Sequence, residues 1–207
     1  VFTGDEFRDG LPTIEKVLRK TDVKAAFFVT GIFLEDNKSK DILRKMIKAG
    51  HYIGPHSDQH LLYAPWEKRD SLLVSKEEFV KDLETNASKL RDLGMQDISM
   101  FIPPYEWYNK EIVDWSNEIG FEVFNFTPGI RTPADYTYPQ MGNRYLSSEK
   151  IINQLYDFEE KNSLNGAILL IHIGTDARRS DKFYKKLEQI IKDLQNKKYK
   201  FVSLNKI

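Results

Sequence analysis

The stretch AAFFV at residues 25–29 is a short apolar run with a charged segment of helical period on either side, Leu11–Lys20 before it and Ser39–Ala49 after it. That alternation specifies a parallel sheet with covering helices. It continues along the chain. Further strands are expected at Val1–Thr3, Tyr52–Gly54, Ser99–Ile102, Phe121–Phe126, Ala167–Ile171 and Lys200–Val202, with helices at Lys76–Leu93, Asn109–Ile119, Ser147–Asn162 and Ser180–Asn196. Seven short strands separated by helices suit a small barrel or a doubly wound sheet, α/β in either case. The punctuation agrees: Gly50, Gly94 and Gly120 each follow the last apolar-periodic residue of a helix, as a C-cap should, and Ser75 with Glu78 fits a capping box. Residues 127–145 hold three prolines, two glycines and little periodicity, which reads as a long loop of the functional kind.

Composition narrows the function. The 207 residues are enough for one well-buried core, so a single domain over 1–207 is the expectation. Lys and Arg number 31 and Asp and Glu number 31, a balance that gives no electrostatic reason to expect nucleic acid or an anionic membrane as partner. Cysteine is absent, which removes disulfides, thiolate nucleophiles and Cys-ligated zinc together. No apolar stretch reaches the roughly 18–20 residues of a membrane span. A core strand at residue 1 is expected to mean that a longer precursor or a preceding domain has been cut away. No GxGxxG or GKS/T pattern is present, which disfavours nucleotide use.

The unusual polar residues fall where strands end: Asp5 and Glu6, then His56 and His60, then Pro103–Tyr105, then His172. In α/β folds that end of the sheet is the active face. A four-residue spacing on a helical turn directs both imidazoles to one side, which is why it recurs in zinc sites, although two polar residues in a surface turn would read the same. Asp5 and Glu6 supply an oxygen ligand and a proton acceptor, or are solvated acids opening a loop; Asp9 competes with Glu6 for the ligand position. Two His and one carboxylate leave a coordination position for water, whose pKa the metal lowers. His172, ending the apolar run AILLIH, is either a satisfied core histidine or a general acid facing the pocket. The prolines before Tyr105 either end a strand or present the Tyr105 N–H to an oxyanion. His51 follows a capping glycine and reads as a structural or surface residue. Trp66, Trp107, Tyr108, Tyr136 and Tyr138 lie in expected loops, positions from which aromatic rings often face sugars.

With those residues in place the chain resembles the polysaccharide deacetylase family, the NodB-homology domain of carbohydrate esterase family 4. The similarity runs from FTGDE at 2–6 through KAAFFVTG at 24–31, IGPHSDQH at 53–60, FIPPY at 101–105 and ILLIH at 168–172 to YKFVSL at 199–204. It implies a distorted (β/α)7 barrel and removal of N-acetyl or O-acetyl groups from an acetylated carbohydrate. It further implies a divalent metal, Zn²⁺ first with Co²⁺ or Ni²⁺ as substitutes, and an extracytoplasmic location, periplasmic or secreted. By the same resemblance Asp5 is the catalytic base, Glu6, His56 and His60 are the metal ligands, Tyr105 offers its N–H to the oxyanion, and His172 is the general acid. The chain departs from the family at Gly4, in place of an aromatic residue, at Ile102, in place of an arginine that steadies the base, and at Glu106, where glycine is common. Arg131 and Arg178 are the loop residues available to replace that arginine. The fourth motif has only Asp135 as a loose match. These departures keep two other readings in play: a carbohydrate-binding module that retains the metal but not the activity, and a metal-dependent amidase or esterase for a small substrate.

Overall fold

Strands and helices alternate as expected in this computed structural model, which describes residues 1–204; the last three residues of the expected 1–207 domain lie outside the described residues. In chain order the elements are β1 (Phe2–Gly4), α1 (Leu11–Thr21), β2 (Ala26–Val29), α2 (Asn37–Lys48), β3 (Tyr52–Pro55) and α3 (Lys76–Leu93). They continue with β4 (Met100–Phe101), α4 (Lys110–Glu118), β5 (Glu122–Val123), α5 (Ser148–Asn162), β6 (Ile171–His172) and α6 (Leu187–Asn196). The fold is α/β, with parallel strands flanked by helices. The chain divides into two compact units, one made of Val1–Ala25 with the stretch from Phe126 onward, the other of Ala26–Asn125.

In the first unit β1 pairs in parallel with β6, Phe2 opposite Ile171 and Thr3 opposite His172. Helix α1 buries Leu11, Ile14, Val17 and Leu18, and α6, which packs on it, buries Leu187, Ile190, Ile191 and Leu194. Both sets follow the helical period, so each helix presents a single apolar stripe. The strand expected at Ala167–Ile171 forms later, at Ile171–His172, because Ile168 is already engaged: its N–H donates to the Thr127 hydroxyl and its carbonyl accepts from the Thr127 N–H. Residues 200–202, expected as a seventh strand, carry no strand assignment. The helix expected from Ser180 opens as a 3₁₀ turn, Phe183–Lys186, and becomes α-helical at Leu187.

The expected long loop at 127–145 contains two 3₁₀ turns, Thr132–Tyr136 and Pro139–Arg144. It is anchored by Arg179, whose side chain is fully buried. The guanidinium donates from Nη1 to the carbonyls of Thr137 at 2.5 Å and Leu146 at 3.0 Å, and from Nε to that of Asp181 at 2.8 Å. A planar donor fork suits this arrangement of divergent carbonyls better than an ammonium would. Burial pushes the Asp181 carboxyl up, but hydrogen bonds from Ser148, the Arg179 charge and the Tyr145 hydroxyl outweigh it and hold the group below its ordinary value.

In the second unit β2 pairs in parallel with β3, from Ala26 opposite Tyr52 to Val29 opposite Pro55, and β4 pairs in parallel with β5. The core gathers Tyr63, Phe79, Leu83, Ala87, Phe101, Ile112 and Phe121 from α3, α4, the strands and the loops between them. Ser75 and Glu78 form the expected capping box at the start of α3, and Gly94 closes it in the left-handed region at φ 115°. Among the described residues no helix is long and apolar enough to cross a membrane.

Candidate active site

The first unit carries Asp5, Glu6 and His172. Because Thr3 lies opposite His172 in a parallel pair, the acidic segment and the histidine leave the same end of the two strands. The loop that follows β1 is set tightly against the exit of β6. A Cβ on Gly174 would stand 2.4 Å from the Phe7 backbone carbon, and one on Gly10 would stand 2.2 Å from the Ile173 carbonyl oxygen. Only glycine permits that approach at either position.

His172 has a partner that the sequence marked only loosely. Asp135 is fully buried and accepts twice from that one residue, from the backbone N–H at 3.0 Å and from ring Nδ1 at 2.5 Å. The carboxylate fixes the ring orientation, places the Nδ1 proton between the two groups, and stabilises an imidazolium when Nε2 is also protonated. His172 is half-buried, and its ring lies near that of Tyr136, 5.7 Å between centroids.

Both carboxylate oxygens of Asp9 are engaged within the first unit. Its Oδ1 accepts from the Thr175 N–H at 3.0 Å, while its Oδ2 accepts from the Tyr184 hydroxyl at 2.9 Å and pairs with Lys182 at 3.0 Å. Burial raises this carboxyl, but the bonds from Lys182, Tyr184 and Thr175 more than offset that and leave it below its ordinary value. Burial and the adjacent Asp9 charge push the Tyr184 phenol up in turn. Asp9 therefore ties the β1 loop to the segment after β6. Arg178 is likewise committed, to Asp176 and to the face of Tyr138 at 4.0 Å, and Arg131 is exposed.

The second unit carries His56, His60 and Tyr105 together. The two imidazole centroids are 5.2 Å apart, and His60 lies 4.5 Å from the Tyr105 ring. His56 Nδ1 is 2.7 Å from the Ile102 carbonyl, which can only accept, so Nδ1 carries the proton and Nε2 the lone pair. A histidine that holds a metal through Nε2 needs this tautomer. The donor chemistry of the pair therefore fits a divalent cation. Neither unit by itself gathers three or more His, Asp or Glu side chains as a metal-holding group among the described residues.

The loop bearing these histidines is strained, and α3 holds it in place. Ser57 and His60 sit at φ 72° and 55°, a region that non-glycine residues rarely adopt. Asp82 accepts from the Asp58 N–H at 2.9 Å and the Gln59 N–H at 3.0 Å, while Asn86, one turn on, accepts from the His56 N–H at 3.0 Å. Lys89, on the next turn, pairs with Asp58 at 2.6 Å. A Cβ on Gly31 would come within 1.9 Å of that carboxylate, so glycine there makes room for it. The sequence did carry a signal for these residues. Asp82 and Asn86 interrupt the buried stripe Phe79, Leu83, Ala87 and Leu90, where a polar side chain needs a partner.

Replacing Asp82 with Asn leaves one acceptor oxygen for two N–H groups and turns an NH₂ toward the other. Stability is expected to fall by about 2 kcal/mol. Zinc affinity is expected to fall roughly tenfold or more, as when a ligand's supporting bonds are cut. Denaturant unfolding of the metal-free protein and a zinc competition titration measure the two separately. Reduced stability with unchanged zinc affinity would confine Asp82 to the fold.

Two further sequence readings can be placed. Tyr105 and Glu106 both occupy the left-handed region, at φ 61° and 53°, inside the 3₁₀ turn Pro104–Glu106. Strain of that kind persists where surrounding structure enforces it, and here the Asn125 side chain donates to the Glu106 carbonyl at 3.1 Å. His51 is buried edge-on against Phe27, with centroids 5.9 Å apart and planes at 81°, the structural rather than the surface one of its two expected roles.

Comparison with known proteins adds the following. Residues 3–124 match the polysaccharide deacetylase family. The chain is 28% identical over 191 residues to an uncharacterised 30.6 kDa protein of Geobacillus stearothermophilus, covering 91% of this chain and 62% of that protein. It is 24% identical over 196 residues to a peptidoglycan-N-acetylglucosamine deacetylase of Bacillus cereus, covering 95% of this chain and 80% of the relative. Among solved structures it is similar to a CE4 family pseudoenzyme from Bacillus anthracis, with a TM-score of 0.73 at 18% identity, covering 99% of this chain and 63% of that one. The chain thus spans less than two thirds of the Geobacillus relative and of the pseudoenzyme.

Proposed function

The chain belongs to the polysaccharide deacetylase family, which includes active deacetylases and inactive pseudoenzymes, and from that premise we propose that it is a metal-dependent hydrolase removing acetyl groups from an acetylated carbohydrate. The observation that carries the reading is the buried Asp135 carboxylate bonded twice to His172, an arrangement that prepares a ring to hold and deliver a proton. The proposal includes the distorted (β/α)7 barrel, a single catalytic domain and an extracytoplasmic location, all of which follow from the resemblance.

Glu6, His56 and His60 would hold a divalent cation, Zn²⁺ by donor type, with Co²⁺ or Ni²⁺ able to use the same set; when bound it would polarise the acetyl carbonyl and acidify the attacking water. Asp5 accepts a proton from that water as it adds to the acetyl carbon. The Tyr105 N–H donates to the oxygen on which negative charge develops. His172, supported by Asp135, gives its Nε2 proton to the leaving nitrogen or oxygen as the bond to the acetyl carbon breaks. The products are acetate and a free amine or hydroxyl on the sugar.

Ile102 favours a second reading. Its side chain is fully buried in the second unit, where the family has an arginine that serves the base, and only its carbonyl addresses His56. A carbohydrate-binding module that keeps its cation without turnover would tolerate that change.

Acetate release from acetylated chitin, peptidoglycan and xylan fragments, measured with chelator and then with added zinc or cobalt, separates the readings. Release that requires the metal is expected on at least one polymer fragment. Sugar binding with no acetate from fully loaded protein would instead establish the binding module. Release from small acetyl esters or amides alone would make it an amidase or esterase of small substrates.

A further inference from the structure

Asp5 and Glu6 sit in a short arch of chain whose two ends are fixed to one neighbouring segment. At the near end Ile173 donates its N–H to the Thr3 carbonyl at 2.8 Å, continuing the pairing of β1 with β6. At the far end the chain runs against residues 173–175, where Gly174 meets the Phe7 backbone and Gly10 meets the Ile173 carbonyl oxygen. His172 immediately precedes that segment. The proposed base and the proposed acid therefore belong to one closed circuit of backbone.

Asp9 closes the circuit. Its carboxylate accepts from the Thr175 N–H at 3.0 Å and from the Tyr184 hydroxyl at 2.9 Å, and it faces the Lys182 ammonium at 3.0 Å. Lys182 is largely buried and is itself held by the turn that follows β6, through the Thr175 carbonyl at 2.6 Å, the Thr175 hydroxyl at 3.1 Å and the Asp176 carbonyl at 3.0 Å. Two neutral donors and one fixed positive charge thus converge on a single carboxylate, a set of partners that an uncharged side chain cannot satisfy. Asp9 keeps 41% of its own side chain exposed, so these contacts fasten chain to chain without filling the core. Among the described residues its bonds go to these three partners, and none goes to Asp5 or His172.

We propose that Asp9 is a positioning residue for the reaction: by fixing the far end of the arch to the exit of β6, it holds the Asp5 carboxylate in a set place relative to the His172 ring while bonding to neither. An arch anchored at one end samples many backbone states, and one anchored at both ends samples few. Proton transfer is sensitive to that freedom, since a misplacement of about 1 Å in the reacting geometry can cost about 10²-fold in rate. Glu6 shares the arch, so the same clasp orders the carboxylate assigned to the cation. The kinetic part of the inference rests on the hydrolase reading above; the restraint on the arch does not.

Asp9→Asn tests it. The amide keeps one oxygen for the Thr175 N–H but turns an NH₂ toward Lys182, so the clasp opens without leaving a cavity. With zinc saturating, kcat is expected to fall about 10²-fold. In an Asp5→Asn background the same change is expected to cost no more than about twofold, because a base that is already absent cannot be misplaced. In the metal-free protein, nitrogen-15 relaxation is expected to give the Asp5 and Glu6 amides order parameters of about 0.85 in wild type and below about 0.6 in the variant. Tyr184→Phe, which takes a single hydroxyl from the clasp, is the second variant should Asp9→Asn fail to fold, and it is expected to move both readouts the same way by less. Equal losses of kcat in the two backgrounds, an unchanged kcat, or order parameters that match wild type overturn the positioning role. Loosened amides in a chain whose wild type releases no acetate overturn only the hydrolase.

Discussion

Asp135→Asn is expected to lower kcat by about 10²–10⁴-fold while leaving the protein folded and able to bind zinc. The carboxylate accepts from both the backbone N–H and ring Nδ1 of His172. Asparagine has one oxygen to offer. The backbone N–H cannot change its role, so it keeps the oxygen, and the NH₂ group faces Nδ1. That nitrogen must then carry the lone pair and Nε2 the only ring proton. A neutral ring of this tautomer is a poor acid, and the charge that supported the imidazolium is gone. Because the amide still satisfies both contacts, little stability is lost. Steady-state kinetics with poor and activated leaving groups and nitrogen NMR of the His172 ring provide the measurements. The loss should be largest for the poor leaving group. A wild-type rate with a switched tautomer would remove His172 from the acid role.

Asp5→Asn is expected to have an effect at least as large, about 10³-fold or more in kcat, for a different reason. The amide has nearly the same shape but cannot accept the proton that leaves the attacking water. Since Glu6, and not Asp5, is assigned to the cation, zinc affinity should change little. The pH profile gives a second readout. The limb that reports deprotonation of the base should vanish in this variant, while Asp135→Asn should alter the limb that reports the acid. Unchanged turnover in purified, zinc-loaded protein would exclude Asp5 as the base and would point to Glu6 or to a reaction of another kind.

The parallel α/β character could be read from the chain because AAFFV and its flanking helices announce themselves locally. Helix α3 was read to its terminal residues, since Ser75, Glu78 and Gly94 mark its ends by side-chain and backbone chemistry that acts over a few residues. Strand extents were harder to read. At Ile168 the apolar pattern continues, yet its hydrogen bonds go to Thr127, 41 residues away, and no local signal foretells that. The site shows the same division. HSDQH and Asp5–Glu6 were visible because their spacing is local, while the Asp135–His172 pair joins positions 37 apart and Asp82 reaches its N–H partners across 23 and 24 residues. Asp9 stayed open beside Glu6 for the converse reason: spacing alone did not separate the two, whereas the oxygens of Asp9 are used by Thr175, Tyr184 and Lys182.

The contact between His56 and position 102 is made by a main-chain oxygen. Every amino acid brings the same oxygen, so mutation of the side chain there leaves the imidazole's anchorage untouched. Under the proposed function, isoleucine in place of arginine at 102 would therefore spare the support of His56. On that reading chemical competence and metal retention would be separately heritable traits, the first open to loss without the second.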